Sequence, residues 1–195
     1  MSQTFFTSDL HFGHANALRF DHRPWENVEE MNEALIENWN EKVGRNDRVF
    51  ILGDLLWKSD EAALDILKRL HGRLVLIRGN HDKFVKKAEF LQHFEAVKDY
   101  DDIKVGLRSG ENKRCVLCHY FMPLYNGHYR GAVLLHGHSH DTHERREEQR
   151  IAKELMDKGI PCEAYNCFCG FYQWAPATLD EIIERWEKTE GGERK

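Results

Sequence analysis

Five short runs in this chain carry side chains that bind cations or move protons. They read S-D-L-H (8–11), G-D (53–54), G-N-H-D (79–82), C-H (118–119) and H-G-H-S-H (136–140). Imidazole, carboxylate and amide oxygen make a mixed nitrogen and oxygen donor set. Such a set suits manganese, iron, zinc, nickel or cobalt better than calcium. Two of these ions about 3.5–4 Å apart form a clamp for in-line displacement at phosphorus. One carboxylate must then bridge the pair, and the ions offset the repulsion an anionic phosphate meets from the other carboxylates.

The run R-C-V-L-C-H (114–119) admits a different reading, because C-x-x-C-H is the attachment signature of a covalent haem. The N-terminus, MSQTFFTSDL, lacks the basic segment and apolar run of a secretion signal. That points to a cytoplasmic chain with reduced thiols and away from haem. Cys115, Cys118, Cys162, Cys167 and Cys169 are then expected as thiols packed on strands. A zinc site from Cys115, Cys118, Cys167 and Cys169 is the alternative use for four of them.

The elements that must position the five runs follow from periodicity. Buried strands are expected at 3–8, 48–53 and 73–78. Between them lie helices at 27–43 and 60–70, the first opened by the capping pair Asn27 and Glu30. This alternation argues for an α/β domain. After residue 95 strands follow closely, at 96–100, 103–107, 113–118, 132–135 and 163–169, and suggest a second sheet. A charged helix at 142–158 interrupts them, with Glu144 to Glu148 read as its solvated face, and Thr178 and Glu181 cap a last helix. The segment from Asn166 onward is expected to complete the second sheet. Every one of the five runs falls at the carboxyl end of an expected strand, the edge where open α/β sheets bind ligands.

Length and charge bound the rest. The 195 residues suit one domain over 1–188 with a frayed tail at 189–195. A net charge of −5 gives no electrostatic case for a long nucleic-acid duplex. No apolar run is long enough to cross a membrane.

In their order, the five runs resemble the blocks of the calcineurin-like metallophosphoesterase superfamily, and D-L-H-F-G-H (9–14) resembles its compact bacterial and phage members. The blocks span Asp9 to His140. The resemblance implies an α/β, two-sheet sandwich flanked by helices in four layers. It implies two divalent transition-metal ions, manganese favoured, with Asp9, His11 and His140 on the first and Asn80, His119 and His138 on the second. Asp54 would bridge them. His81 would approach the leaving-group oxygen as general acid, with Asn80 and Asp54 completing the catalytic set. His119 then belongs to the fourth block and not to a haem.

One departure narrows the activity. Protein phosphatases of the superfamily extend the second block to G-D-x-x-D-R, where this chain has Trp57 and Lys58. The carboxylate that would orient the general-acid histidine is missing, and Asp82 is the nearest local substitute. This leans towards a phosphodiesterase, with a small-molecule or nucleotide phosphomonoesterase as the alternative. The expected partner is a phosphorylated small molecule, a nucleotide or a short oligonucleotide. A non-catalytic scaffold of the same fold is the other class, and the complete ligand set argues against it. His14 and Arg78 are candidate substrate contacts, Arg23 reads as a surface residue, and alternation packs His136 away from His138 and His140.

Overall fold

The computed structural model describes residues 2–189. Of the expected tail, Thr189 is the last residue of a helix, and residues 190–195 lie outside the described residues. In chain order the elements are β1 (Thr4–Thr7), α1 (Ala15–Phe20), α2 (Val28–Lys42), β2 (Arg48–Ile51), α3 (Glu61–Arg69), β3 (Arg73–Ile77), α4 (Ala88–Leu91) and β4 (Phe94–Lys98). They continue with β5 (Tyr100–Gly106), β6 (Asn112–Cys118), β7 (Val133–His136), α5 (His143–Asp157), β8 (Ala164–Asn166), β9 (Ala177–Thr178) and α6 (Leu179–Thr189).

Among the described residues the strands form two sheets, one of five strands in the order β4-β3-β2-β1-β9 and one of four in the order β5-β6-β7-β8. The period-2 alternation of side chains in a strand explains the layering. On one face of the first sheet, Phe6, Phe50 and Val75 meet Cys115, Leu117, Val133 and Leu135 of the second sheet. On the other, Phe5, Val49, Ile51 and Leu74 pack under Met31, Leu35 and Trp39 of α2 and Ile66 and Leu67 of α3. The outer face of the second sheet, through Val116 and Leu134, is covered by Ala152, Leu155 and Met156 of α5. Helix, sheet, sheet and helix are therefore the four layers. Trp39 is fully buried, and its indole N–H donates to His71 O at 2.9 Å, so the burial leaves no polar atom stranded.

The two expected helix caps form, and Asp60 adds a third. Asn27 accepts from the Glu30 N–H at 2.8 Å, Asp60 from the Ala63 N–H at 3.0 Å, and Thr178 and Glu181 bond reciprocally. Two assignments change. β4 joins the first sheet, parallel to β3, and β9 closes that same sheet antiparallel to β1. The segment from Asn166 onward thus serves both sheets, with Asn166 ending β8 in the second and β9 lying in the first. β1, β2 and β3 also end one or two residues earlier than the apolar runs, where the loops bearing the polar residues begin.

Candidate metal centre

β1, β2 and β3 are mutually parallel, as are β6 and β7, so each set ends its strands at one edge. The loops leaving those edges are tied to one another through the backbone. Asp9 N–H donates to Gly53 O at 3.0 Å and His11 N–H to Asp54 O at 2.9 Å, joining the first loop to the second. Asp82 accepts from the N–H groups of Asp54 and Leu55, both at 2.9 Å, and of Gly79 at 2.7 Å, joining the second loop to the third. Gly137 N–H donates to His119 O at 3.0 Å, and His138 N–H to the Asp9 carboxylate at 3.1 Å.

The turns are tight enough to drive side-chain-bearing residues into left-handed backbone. Asp9 (φ 57°), His11 (51°), Asp54 (57°), His138 (71°) and His140 (47°) all adopt it. Strain of this kind costs on the order of 1–3 kcal/mol per residue and persists only where surrounding structure enforces it. Here the enforcing structure is the lattice of loop-to-loop hydrogen bonds.

Among the described residues two groups of donors emerge, Asp9 with His11 and His140, and Asp54 with His119 and His138. Within the first, His11 Nε2 lies 3.2 Å from His140 Nε2, and His140 Nε2 lies 3.4 Å from Asp9 Oδ1. In the second, His119 Nε2 is 3.0 Å from Asn80 Oδ1. Asp54 connects the two. Its Oδ1 accepts from the His81 N–H at 2.9 Å, while its Oδ2 lies 3.8 Å from His11 Nε2 and 3.7 Å from His119 Nε2. Two donors each about 2.0–2.1 Å from a shared transition-metal ion must sit within roughly 4.2 Å of each other. All of these separations meet that limit, and the offered atoms of each group, His138 included, lie within 4.8 Å of one another, a spacing that small side-chain shifts bring onto a pair of ions.

The neighbours fix which nitrogen is offered. His119 donates from Nδ1 to Leu52 O at 2.7 Å, which leaves Nε2 free to coordinate. His140 holds Asp21 Oδ1 through Nδ1 at 2.6 Å, and Asp21 is gripped in turn by Arg23 at 2.8 and 3.0 Å. This is the carboxylate–histidine pairing that orients metal ligands. Burial would raise Asp9, but the hydrogen bond and charge of His140, with the charges of His119 and His11, hold it well below the usual carboxylate range. Burial opposes protonation of His140, yet Asp21 and Asp9 push it up to about 10. His11, dominated by burial, is pushed down to about 3. Two carboxylates at the first group thus demand positive charge, and at His140 a proton can supply it.

Several expectations change. Arg23 is buried, not on the surface: its guanidinium donates to Leu10 O at 2.6 Å and Asp9 O at 3.0 Å and so supports the first loop from beneath. Asp82 does not orient His81; both its oxygens are occupied by backbone N–H groups, and burial pushes it up to about 6. Arg78 is not presented to the centre, because Asp99 binds its guanidinium at 2.6 and 2.5 Å. His14 is buried with its ring 3.6 Å from that of Trp57. Other readings hold: His136 is packed beside Phe121, outside both donor groups, as alternation leads one to expect. Cys115 faces the space between the sheets and Cys118 the opposite side of β6, so C-x-x-C-H does not present its thiols together.

Asp21 and Tyr120 join the centre without belonging to any of the five runs. The Tyr120 hydroxyl is 3.4 Å from Asn80 Oδ1. The clue to Asp21 lay in D-H-R-P (21–24), an acid and an arginine two residues apart in the loop region that follows the first block.

Glu148 also departs from expectation. It is buried and accepts from Ser139 Oγ at 2.7 Å, and burial pushes its carboxyl up to about 7. Unfolded, it ionises near the ordinary 4.5. The folded state therefore holds the extra proton between those values, and stability is lost as pH rises from about 4.5 to about 7. Glu148→Gln should abolish that loss. In denaturant titrations, the variant should gain on the parent by about 2–3 kcal/mol across this window. Parallel curves would contradict the assignment.

Known proteins resemble this chain over most of its length. An uncharacterized protein of Methanocaldococcus jannaschii is 33% identical over 190 residues, covering 96% of this chain and 93% of its own. The gene 66 protein of Mycobacterium phage D29 is 35% identical over 215 residues, covering 98% and 100%. A protein of unknown function from Aquifex aeolicus shares the fold, with a TM-score of 0.67 and 23% identity over 94% of this chain and 99% of that one. The sequence profile described as calcineurin-like phosphoesterase matches residues 3–187. With that match over nearly the whole chain and two donor groups at its strand ends, the protein belongs to the calcineurin-like phosphoesterase family.

Proposed function

We propose that this chain hydrolyses phosphate esters, diesters in preference to monoesters, at a pair of divalent transition-metal ions. Asp9, His11 and His140 would hold one ion, Asn80, His119 and His138 the other, and Asp54 both. The observation that carries this reading is the Asp54 Oδ2 atom, 3.8 Å from a histidine nitrogen of one group and 3.7 Å from one of the other. When bound, the ions activate water and neutralise charge on the phosphate. The chain's own part is to hold the donors, to place Asn80 against the phosphate oxygen, and to offer His81 to the leaving group. His81 suits that task because its side chain is 36% exposed while its Nε2 remains 4.0 Å from Asp54 Oδ2.

The diester preference rests on charge. A monoester dianion calls for cationic side chains beyond the ions, but Arg23 and Arg78 are engaged by Asp21 and Asp99. Small phosphodiesters, nucleotides or short oligonucleotides are the substrates that fit, with manganese the favoured ion. Purified protein with Mn²⁺ should turn over bis-p-nitrophenyl phosphate faster than p-nitrophenyl phosphate. Turnover of neither, with metal bound, would defeat the hydrolase reading; faster monoester turnover would reverse the preference.

The support beneath His140 gives a second expectation. Asp21→Asn keeps the shape but removes the charge that faces His140 Nδ1, and should weaken divalent-metal affinity by about 10–100-fold. Titration calorimetry with Mn²⁺ reads this directly, and unchanged affinity would show that Asp21 has no part in the centre.

A further inference from the structure

The His81 ring lacks the carboxylate partner that the protein phosphatases of the family supply. Its backbone is held, by the N–H bond to Asp54 Oδ1 at 2.9 Å, but that bond does not set the angle of the imidazole. Asp54 Oδ2 lies 4.0 Å from its Nε2, beyond hydrogen-bonding distance, and the packing against the ring is aromatic. The Trp57 ring centroid lies 4.8 Å away at an interplanar angle of 41°, and that of His11 lies 5.5 Å away at 68°.

Trp57 is built to be a fixed surface. Its N–H donates to Phe12 O at 3.0 Å, next to the bridge that pairs Phe12 with Leu56, so its backbone is bound to the first loop. Its indole lies 3.6 Å from the buried His14 ring, and His14 N–H in turn donates to His11 O at 3.0 Å. Although 42% exposed, Trp57 is thus anchored on the side facing the protein. This also gives His14 a task, as the ring beneath Trp57.

We propose that Trp57, seated on His14, is a positioning residue that holds the His81 imidazole towards the leaving-group oxygen, in place of the absent carboxylate. The inference rests on the phosphoesterase reading above. In the step concerned, the bond from phosphorus to the leaving oxygen breaks and its electron pair stays on that oxygen. The oxygen takes a proton from His81, the water oxygen bonds to phosphorus and gives up a proton to solvent, and the imidazole recovers its proton from solvent.

A tilted ring packed against the imidazole restricts its orientation without adding charge, so its loss should be felt where proton donation matters and nowhere else. The test is kcat for a set of phosphodiesters differing only in leaving group, p-nitrophenyl against unsubstituted phenyl, in Trp57→Ala, Trp57→Phe, His81→Ala and the double variant Trp57→Ala/His81→Ala. Trp57→Ala should lose about 10–100-fold on the phenyl ester and less than about threefold on the p-nitrophenyl ester, whose leaving oxygen needs no proton. Trp57→Phe should retain most of the rate. The double variant should match His81→Ala alone, since both changes remove one function. Equal loss on both esters, or additive losses, would overturn the proposal.

A second measurement does not depend on turnover. Ring currents from Trp57 should displace the proton resonances of the His81 imidazole, and Trp57→Ala should return them towards free-imidazole positions. Unmoved resonances would overturn the proposal even in an active enzyme. A displaced signal in a protein with no phosphoesterase activity would preserve the contact and defeat the hydrolase reading instead. Should Trp57→Ala not fold, Trp57→Leu, which fills the space without an aromatic face, takes its place.

Discussion

Asp54→Asn is expected to lower kcat/KM by about three orders of magnitude or more while leaving the fold intact. The asymmetry of the residue explains both halves of this expectation. Asparagine can present its amide oxygen where Oδ1 accepts the His81 N–H, so the loop contact survives. Its NH₂ group would then stand where Oδ2 faces His11 and His119, and an amide nitrogen neither bridges two cations nor supplies negative charge. A thousandfold loss corresponds to about 4 kcal/mol of barrier. Burial, together with the charge of Asp9, raises the Asp54 carboxyl above its ordinary range, so removing this charge relieves a strain in the protein alone. The variant should accordingly melt no lower than the parent in the absence of metal, and bind fewer than two ions by elemental analysis. Activity within about tenfold of the parent would show that Asp54 is not the bridge.

Gly79→Ala is expected to damage the centre through the backbone. A methyl group there would lie 2.2 Å from Asp54 Oδ1 and 2.7 Å from Asp54 N. Neither atom can yield. The Asp54 N–H is bound to Asp82 and its carbonyl receives the His11 N–H, so any movement is shared by three loops. Overpacking of this kind costs about 1–3 kcal/mol, and more where the surroundings are pinned. Loss of both folding stability and metal affinity is predicted, read by thermal melting and by calorimetry with Mn²⁺. Gly106→Ala is the control, because its methyl would meet nothing closer than Asn112 Oδ1 at 3.8 Å, an ordinary contact. If the two variants behave alike, the close approach of Gly79 to Asp54 is not a constraint.

The candidate donors were legible in the sequence because chemistry concentrated them. Asp, His and Asn recur where apolar runs stop, and strand ends in an α/β sheet share an edge. The layers were legible for a related reason, since alternating faces such as Phe5 and Phe6 or Val49 and Phe50 require something apolar on both sides. Partner choice between strands was not. β4 and β9 carry no local mark of joining the first sheet, because register and neighbour are settled by long-range packing. The support of the centre was equally hidden. Arg23 and Glu148 look solvated along the chain, and only the tertiary fold shows that one lies under Asp9 and the other against Ser139. Nor does local sequence reveal that five donors sit in left-handed backbone; Asp and His are simply among the residues that tolerate it better than most.

A crystal structure of protein soaked in Mn²⁺, with anomalous difference maps, tests the central claim most directly. Two peaks should appear about 3.5–4 Å apart, one against Asp9, His11 and His140, the other against Asn80, His119 and His138, with Asp54 Oδ2 between them. A single peak at saturating metal, or two peaks neither of which contacts Asp54, would contradict the account.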